Sequence, residues 1–188
     1  MEEQLLKKRL AKVCHLLYRQ GVATLYEGNV SCRVSDKRFF IKKTESSFRT
    51  ITPEEFVLID KNGDPKTTGT PSREKFLHLK IYQNREDVFF IVHTHPTQVI
   101  RAARLRKEGE MLDSGGRKGE AFDIGPIPIV EFLPPGSDEL ASKVAEALKN
   151  KDRKAAVLRE HGLVVVAKTV EEAFDLTLFI KNRCEAIV

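Results

Sequence analysis

Two histidines one residue apart close an apolar run, Phe89-Phe90-Ile91-Val92-His93-Thr94-His95-Pro96. In an extended strand, side chains at i and i+2 share a face, so His93 and His95 present two imidazoles side by side. Pro96 has no N–H to give a sheet and ends the strand. Two nitrogen donors at a strand end suit a divalent metal, zinc first; a pair of solvated histidines is the plainer alternative. His161 stands in a second break, between Ala155-Ala156-Val157-Leu158 and Gly162-Leu163-Val164-Val165-Val166-Ala167. Gly162 would let the backbone turn there. An imidazole from a neighbouring strand would complete a three-ligand site with an open position, whereas a strand-end histidine bonded to backbone is the other reading.

Glu74 falls in the first turn of an expected helix. The helix dipole is a sufficient reason for a carboxylate there, and proton transfer to or from a carbon atom is the chemical one, if a metal lies nearby. His78, four residues on, shares its face and serves either that carboxylate or plain packing. His15, between Cys14 and Leu16, reads as a packing histidine. Gly28-Asn29-Val30-Ser31 forms a turn or a phosphate cradle. Lys42, Lys43, Thr44, Ser46 and Ser47 make a second donor-rich loop. The helix start at Ser72-Arg73 makes a third, because helix N-termini receive anions.

The elements that must position these residues follow from periodicity. Leu5, Leu6, Leu10, Val13, Leu16 and Leu17 mark an amphipathic helix over Glu2–Gln20, closed by Gly21. Val30–Val34 and Arg38–Lys42 read as a hairpin around Ser35-Asp36-Lys37, and Phe56–Asp60 as a strand ending at Asn62-Gly63-Asp64-Pro65. Thr70 is the expected N-cap of the next helix, with Pro71 at its first position and its end near Asn84-Arg85. Then come a strand over Val88–His93, a helix over Thr97–Lys107 and a mobile loop over Glu108–Gly125. A strand over Ile127–Phe132 and a Pro134-Pro135-Gly136 turn precede a helix over Asp138–Lys149 capped by Ser137. Strands over Ala155–Leu158 and Gly162–Ala167 lead to a last helix through Cys184, opened by the capping box Thr169-x-x-Glu172. Helices separated by short, hairpin-joined strands predict a layered α/β or α+β domain with a mainly antiparallel sheet.

The 188 residues fit one domain spanning 1–188. The formal net charge of +5 accommodates anionic substrates without an arginine-rich block or aromatic interleaving, so nucleic acid is not an expected partner. No apolar run reaches the ~20 residues of a membrane span, and Met1-Glu2-Glu3-Gln4 is no signal peptide. Cys14, Cys32 and Cys184 are scattered and odd in number, as in a reduced, cytoplasmic protein.

Taken together, these segments resemble the class II aldolase/adducin family. Gly28-Asn29-Val30-Ser31 looks like its G-N-x-S, and Phe39 to Ser47 followed by Ile51-Thr52-Pro53-Glu54-Glu55-Phe56 is similar to its substrate loop and "TPED" element. Pro71-Ser72-Arg73-Glu74 through His78 resembles P-S-S-E-x-x-x-H. Asp87 to Pro96 matches the paired-histidine strand, and His161 to Lys168 the third-histidine strand. The resemblance implies a three-layer α-β-α fold with a central, mainly antiparallel sheet. It makes His93, His95 and His161 zinc ligands, and Glu74 both acid/base and metal contact. It puts Gly28, Asn29, Thr44 and Ser72 on phosphate and substrate, with Arg73 beside them at a departure from the motif, and sets the site at a homotetramer interface. The implied activity is zinc-dependent cleavage of a phosphorylated ketose, such as L-fuculose 1-phosphate, to dihydroxyacetone phosphate and an aldehyde. Its neighbours are pentulose-5-phosphate 4-epimerisation, methylthioribulose-1-phosphate dehydration and a non-enzymatic adducin-like head.

The chain departs from the pattern in places. Glu45 stands where a glycine aligns, and its charge opposes a phosphate. Arg73 replaces a serine and offers a bidentate contact that offsets Glu45. The Glu108–Gly125 stretch holds no tyrosine to act as proton donor, and the family's C-terminal tail has no counterpart here.

Overall fold

Alternating apolar residues along the strands sort themselves onto two faces of one sheet. On the strand that carries the histidines, Ile91 joins one core, while Phe90 and Val92 join the other. A computed structural model describes residues 2–107, 109–113 and 124–187. In chain order the elements are α1 (Glu2–Arg19), β1 (Asn29–Ser35), β2 (Arg38–Lys42), a 3-10 turn (Pro53–Glu55), β3 (Phe56–Asp60), α2 (Lys75–Asn84), β4 (Phe90–Thr94), α3 (Thr97–Arg104) and β5 (Met111–Leu112). They continue with β6 (Ile127–Val130), α4 (Asp138–Ala147), β7 (Ala155–Leu158), β8 (Gly162–Ala167) and α5 (Val170–Glu185).

The strands order as β3-β2-β1-β4-β8-β7-β6-β5. Among the described residues every strand pairing is antiparallel except β6 with β7, which the intervening α4 makes parallel as a crossover. Helices α2 and α4 bury Leu77, Ile81, Leu140 and Val144 against one face. Helices α1, α3 and α5 cover the other through Leu10, Leu17, Val99, Leu176 and Ile180. This is the three-layer α/β arrangement that the family resemblance implies.

Two capping expectations hold at the level of single bonds. Ser137 Oγ accepts from Leu140 N at 3.1 Å, and Thr169 Oγ1 from Glu172 N at 3.1 Å. The start of α2 differs. Thr70-Pro71-Ser72 does not open a helix; it runs extended beside the end of β2. Thr44 N donates to Thr70 O at 2.9 Å and Ser72 N to Lys42 O at 3.1 Å, while Pro71 bridges Lys43. Pairing with β2 satisfies these backbone groups, so the helix waits until Lys75, with Glu74 as its N-cap rather than in its first turn. The structured ends of α3, β6 and α4 fall short of the expected Lys107, Phe132 and Lys149. The loop expected over 108–125 contains a strand, since Met111 and Leu112 pair with Pro128 and Ile127; its positions 108 and 114–123 lie outside the described residues.

Candidate metal centre

β4 lies between β1 and β8, and its register sets His93 opposite Asn29 on one side and Val164 on the other. His93 is completely buried. Its Nδ1 donates to Leu163 O at 3.0 Å, which turns Nε2 toward the end of the sheet. His95 lies just past the end of β4, and His161 ends the turn between β7 and β8, where its N donates to Leu158 O at 3.1 Å. His93 Nε2 is 3.0 Å from His95 Nε2 and 3.3 Å from His161 Nε2. Glu74, at the mouth of α2, brings Oε2 to 3.2 Å from His93 Nε2 and Oε1 to 3.4 Å from His161 Nε2.

Glycines make this convergence possible. Gly28 has φ +86°, and a Cβ there would sit 2.5 Å from His93 O. Gly162 was expected to supply a turn, but the left-handed residue of that turn is Glu160, with φ 59°. What Gly162 supplies is close approach: a Cβ would run into Thr94 O and lie 2.7 Å from His95 Cδ2.

The donor set fits a divalent cation. One ligand atom from each of Glu74, His93, His95 and His161 lies within 4.8 Å of the others. Glu74 Oε1 is buried with no hydrogen-bond partner among the described residues, an arrangement that costs free energy unless a cation or proton meets it. Nitrogen donors with one carboxylate oxygen suit zinc or another borderline divalent ion. The electrostatics agree. Burial disfavours charge on Glu74, yet His93, His161 and the Asn29 amide hold its carboxyl well below the usual range. Burial likewise disfavours charge on His93, but Glu74 beside it raises that imidazole. Burial and the neighbouring imidazoles push His95 down to about 3 and His161 down to about 4, so both offer free lone pairs at neutral pH.

The cluster opens into a cleft of about 500 Å³. Gly28, Asn29, Thr44, Ser72 and Arg73 line it, beside Glu74, His95 and His161. The three donor-rich segments of the sequence therefore meet in one place. Glu45 reaches the same cleft with φ 62°, so this position requires the backbone a glycine adopts readily. Two further side chains take part. Lys42, which the sequence marks only as one residue of a donor-rich loop, lines the cleft. It is 2% exposed, and burial lowers its ammonium pKa. His78 is buried directly behind Asn29; its signal was the spacing Glu74, His78, Tyr82, which repeats every four residues. His15 packs as expected, its Nε2 2.9 Å from Ile51 O.

Comparison with known proteins places this geometry. A chain named L-fuculose phosphate aldolase from Methanococcus maripaludis (strain C7) is 33% identical over 166 residues, covering 88% of this chain and 87% of that one. The protein of the same name from Escherichia coli K12 is 31% identical over 180 residues, 94% of this chain and 79% of that one. A solved L-fuculose 1-phosphate aldolase superposes with a TM-score of 0.84 at 25% identity, over 96% of this chain and 83% of that one. The model of the Class II Aldolase and Adducin N-terminal domain matches residues 8–188. With the ordered motifs, the layered sheet and the histidine–glutamate cluster in agreement, the chain belongs to the class II aldolase and adducin N-terminal domain family.

Proposed function

We propose that this chain is a zinc-dependent lyase that cleaves a ketose 1-phosphate, such as L-fuculose 1-phosphate, to dihydroxyacetone phosphate and an aldehyde. The observation that carries the reading is the position of the Glu74, His93, His95 and His161 cluster at the floor of a cleft walled by anion donors. Relatives named L-fuculose phosphate aldolase support the substrate class.

His93, His95, His161 and Glu74 would hold the metal. When bound, it supplies Lewis-acid stabilisation for negative charge developing on the substrate's carbonyl and hydroxyl oxygens. Glu74, ionised though largely buried, carries the proton taken from or returned to carbon. Asn29, Thr44, Ser72 and Arg73 donate to the phosphate, Gly28 lets the chain approach it closely, and Lys42 adds positive charge at the same wall. We read residues 1–188 as one domain, acting in the cytoplasm as a homo-oligomer, a tetramer by family likeness. No helix among the described residues is long and apolar enough to cross a membrane.

The test is metal analysis of the purified protein, followed by a screen of ketose 1-phosphates with coupled detection of dihydroxyacetone phosphate. About one zinc per chain and cleavage abolished by chelation are expected. A metal-replete protein that releases no triose phosphate from any ketose 1-phosphate, yet interconverts pentulose 5-phosphates or dehydrates methylthioribulose 1-phosphate, would overturn the lyase assignment.

A further inference from the structure

Behind Glu74 and Asn29 runs a line of polar side chains, His78, Ser31 and Tyr82, that the proposed reaction does not use. Asn29 Nδ2 donates to Glu74 Oε2 at 2.9 Å. Asn29 Oδ1 makes a short contact with His78 Nε2. His78 Nδ1 lies 2.7 Å from Ser31 Oγ, and Ser31 Oγ lies 2.8 Å from Tyr82 Oη. Asn29 and Ser31 sit two apart on β1, so they share a face of the sheet. Glu74, His78 and Tyr82 recur every four residues from the mouth of α2, so they share a face of the helix. His78 is 1% exposed and Tyr82 is 2% exposed. Tyr82 is clamped at the far end by stacking on Phe39, with ring centroids 4.7 Å apart.

Donor and acceptor inventory allows one direction for this line. An ionised Glu74 only accepts, so the Asn29 amide must present its NH2 there and its oxygen to His78. His78 Nε2 must then carry the hydrogen. Burial drives the His78 pKa down to about 3, so the ring is neutral and Nδ1 is bare. Ser31 must donate to Nδ1, which leaves its oxygen to accept at 2.8 Å from Tyr82, whose hydroxyl also lies 3.4 Å from the more distant acceptor Phe89 O. Each hydrogen points toward the carboxylate, from Tyr82 through Ser31, His78 and Asn29. One Glu74 oxygen is thereby tied down and the other, Oε1, is left beside His161 without a hydrogen-bond partner among the described residues.

We propose that His78 is a positioning residue: by donating from Nε2 to Asn29, in a tautomer set by Ser31 and Tyr82, it locks the Asn29 amide and so fixes which Glu74 oxygen faces the metal and substrate. This rests on the reading of Glu74 as metal contact and proton carrier. It assigns His78 no contact with substrate or metal.

The experiment combines 15N NMR of the histidine rings with two variants. In the wild-type protein, with and without zinc, His78 is expected as the neutral Nε2–H tautomer from pH 5 to 8. An Nδ1–H or a doubly protonated ring in that range would overturn the proposal whether or not the protein cleaves any sugar. His78→Gln keeps an N–H donor near the Nε2 position, whereas His78→Leu keeps bulk and removes it. Zinc affinity by chelator competition is expected to fall 10- to 100-fold in H78L and less than about threefold in H78Q. On a cleaved substrate, kcat is expected to fall by the same order in H78L with KM within about threefold, and to recover in H78Q. Equal behaviour of the two variants, both folded by circular dichroism, would reduce His78 to a packing role and end the proposal. Should H78L not fold, Ser31→Ala takes its place. That variant is expected to let the His78 ring populate Nδ1–H and to weaken zinc binding; an unchanged tautomer with unchanged affinity would count against the chain. Absence of cleavage in the wild type would remove the lyase reading while leaving the ring tautomer and zinc affinities to decide this one.

Discussion

Glu74 keeps its charge where burial opposes it, because two imidazoles and an amide face it. Glu74→Gln retains shape and the bond from Asn29 but cannot take a proton. It is expected to abolish exchange of the substrate's carbon-bound proton, read by deuterium incorporation, while zinc still binds. Persistent exchange in a zinc-loaded E74Q would remove Glu74 from that step. Gly162 is a second single-residue control. An added methyl collides with Thr94 O and crowds His95, so Gly162→Ala is expected to cost about 1–3 kcal/mol by urea denaturation and to loosen zinc. A wild-type midpoint in G162A would show that β8 can move aside. Glu45 carries a left-handed backbone and a negative charge at the anion wall. Glu45→Gly relieves both, and a lower KM for a phosphorylated ketose is expected from steady-state kinetics.

At the scale of elements, α2 carries Glu74 at its mouth and is fastened at its other end by Arg85. That side chain is 1% exposed. Its Nη1 donates to Leu148 O, Asn150 O and Arg153 O at 2.7, 3.0 and 3.1 Å, and its Nη2 to Lys151 O at 3.2 Å. Asp87 closes the set with two bonds of 2.8 Å. The guanidinium thus gathers carbonyls from the C-cap of α4 and the turn that follows it, where Asn150 O also accepts from Arg153 N at 3.0 Å. Removing the arginine takes a donor from each of those carbonyls and the cation from Asp87, so Arg85→Met is expected to lose about 3–5 kcal/mol of stability, measured by chemical denaturation. The same pair gives an acid signature. Hydrogen bonding from Arg85 lowers the Asp87 pKa to about 2, below the ~3.9 of an unfolded aspartate. A depressed carboxyl contributes stability that is complete above the unfolded value and lost as pH falls toward the folded one. Stability is therefore expected to drop between about pH 4 and pH 2, and Asp87→Asn to flatten that drop.

For the whole molecule, the candidate metal site joins strands from the middle of the sheet to the start of a helix on its α2/α4 face. Zinc that binds only the folded arrangement stabilises it by about 2.7 kcal/mol at a hundredfold excess over Kd. Chelation is expected to lower Tm by about 5–10 °C in a chain of this length, and added zinc to restore it. No shift in either direction would argue against a cation held jointly by β4, the β7–β8 turn and α2.

Much of this was legible from residue order alone. Strand and helix identities follow from apolar periodicity, which is local, and the caps at Ser137 and Thr169 from side chains a few residues from the donors they satisfy. The His93-x-His95 pair is likewise a consequence of strand geometry. What residue order leaves open is anything settled by pairing between distant segments. Thr70-Pro71-Ser72 carries a helix-start signature, yet its backbone groups are claimed by β2, and this shifts Glu74 to the N-cap. Gly162 has the composition of a turn, but its lack of a side chain matters because β4 passes against it. His78 could be assigned to packing or to the site, and only the docking of α2 on β1 put its ring between Asn29 and Ser31. Local propensity acts over a few residues, whereas a three-histidine centre with a buried carboxylate depends on which strands become neighbours, and that choice is made by burial of both sheet faces at once.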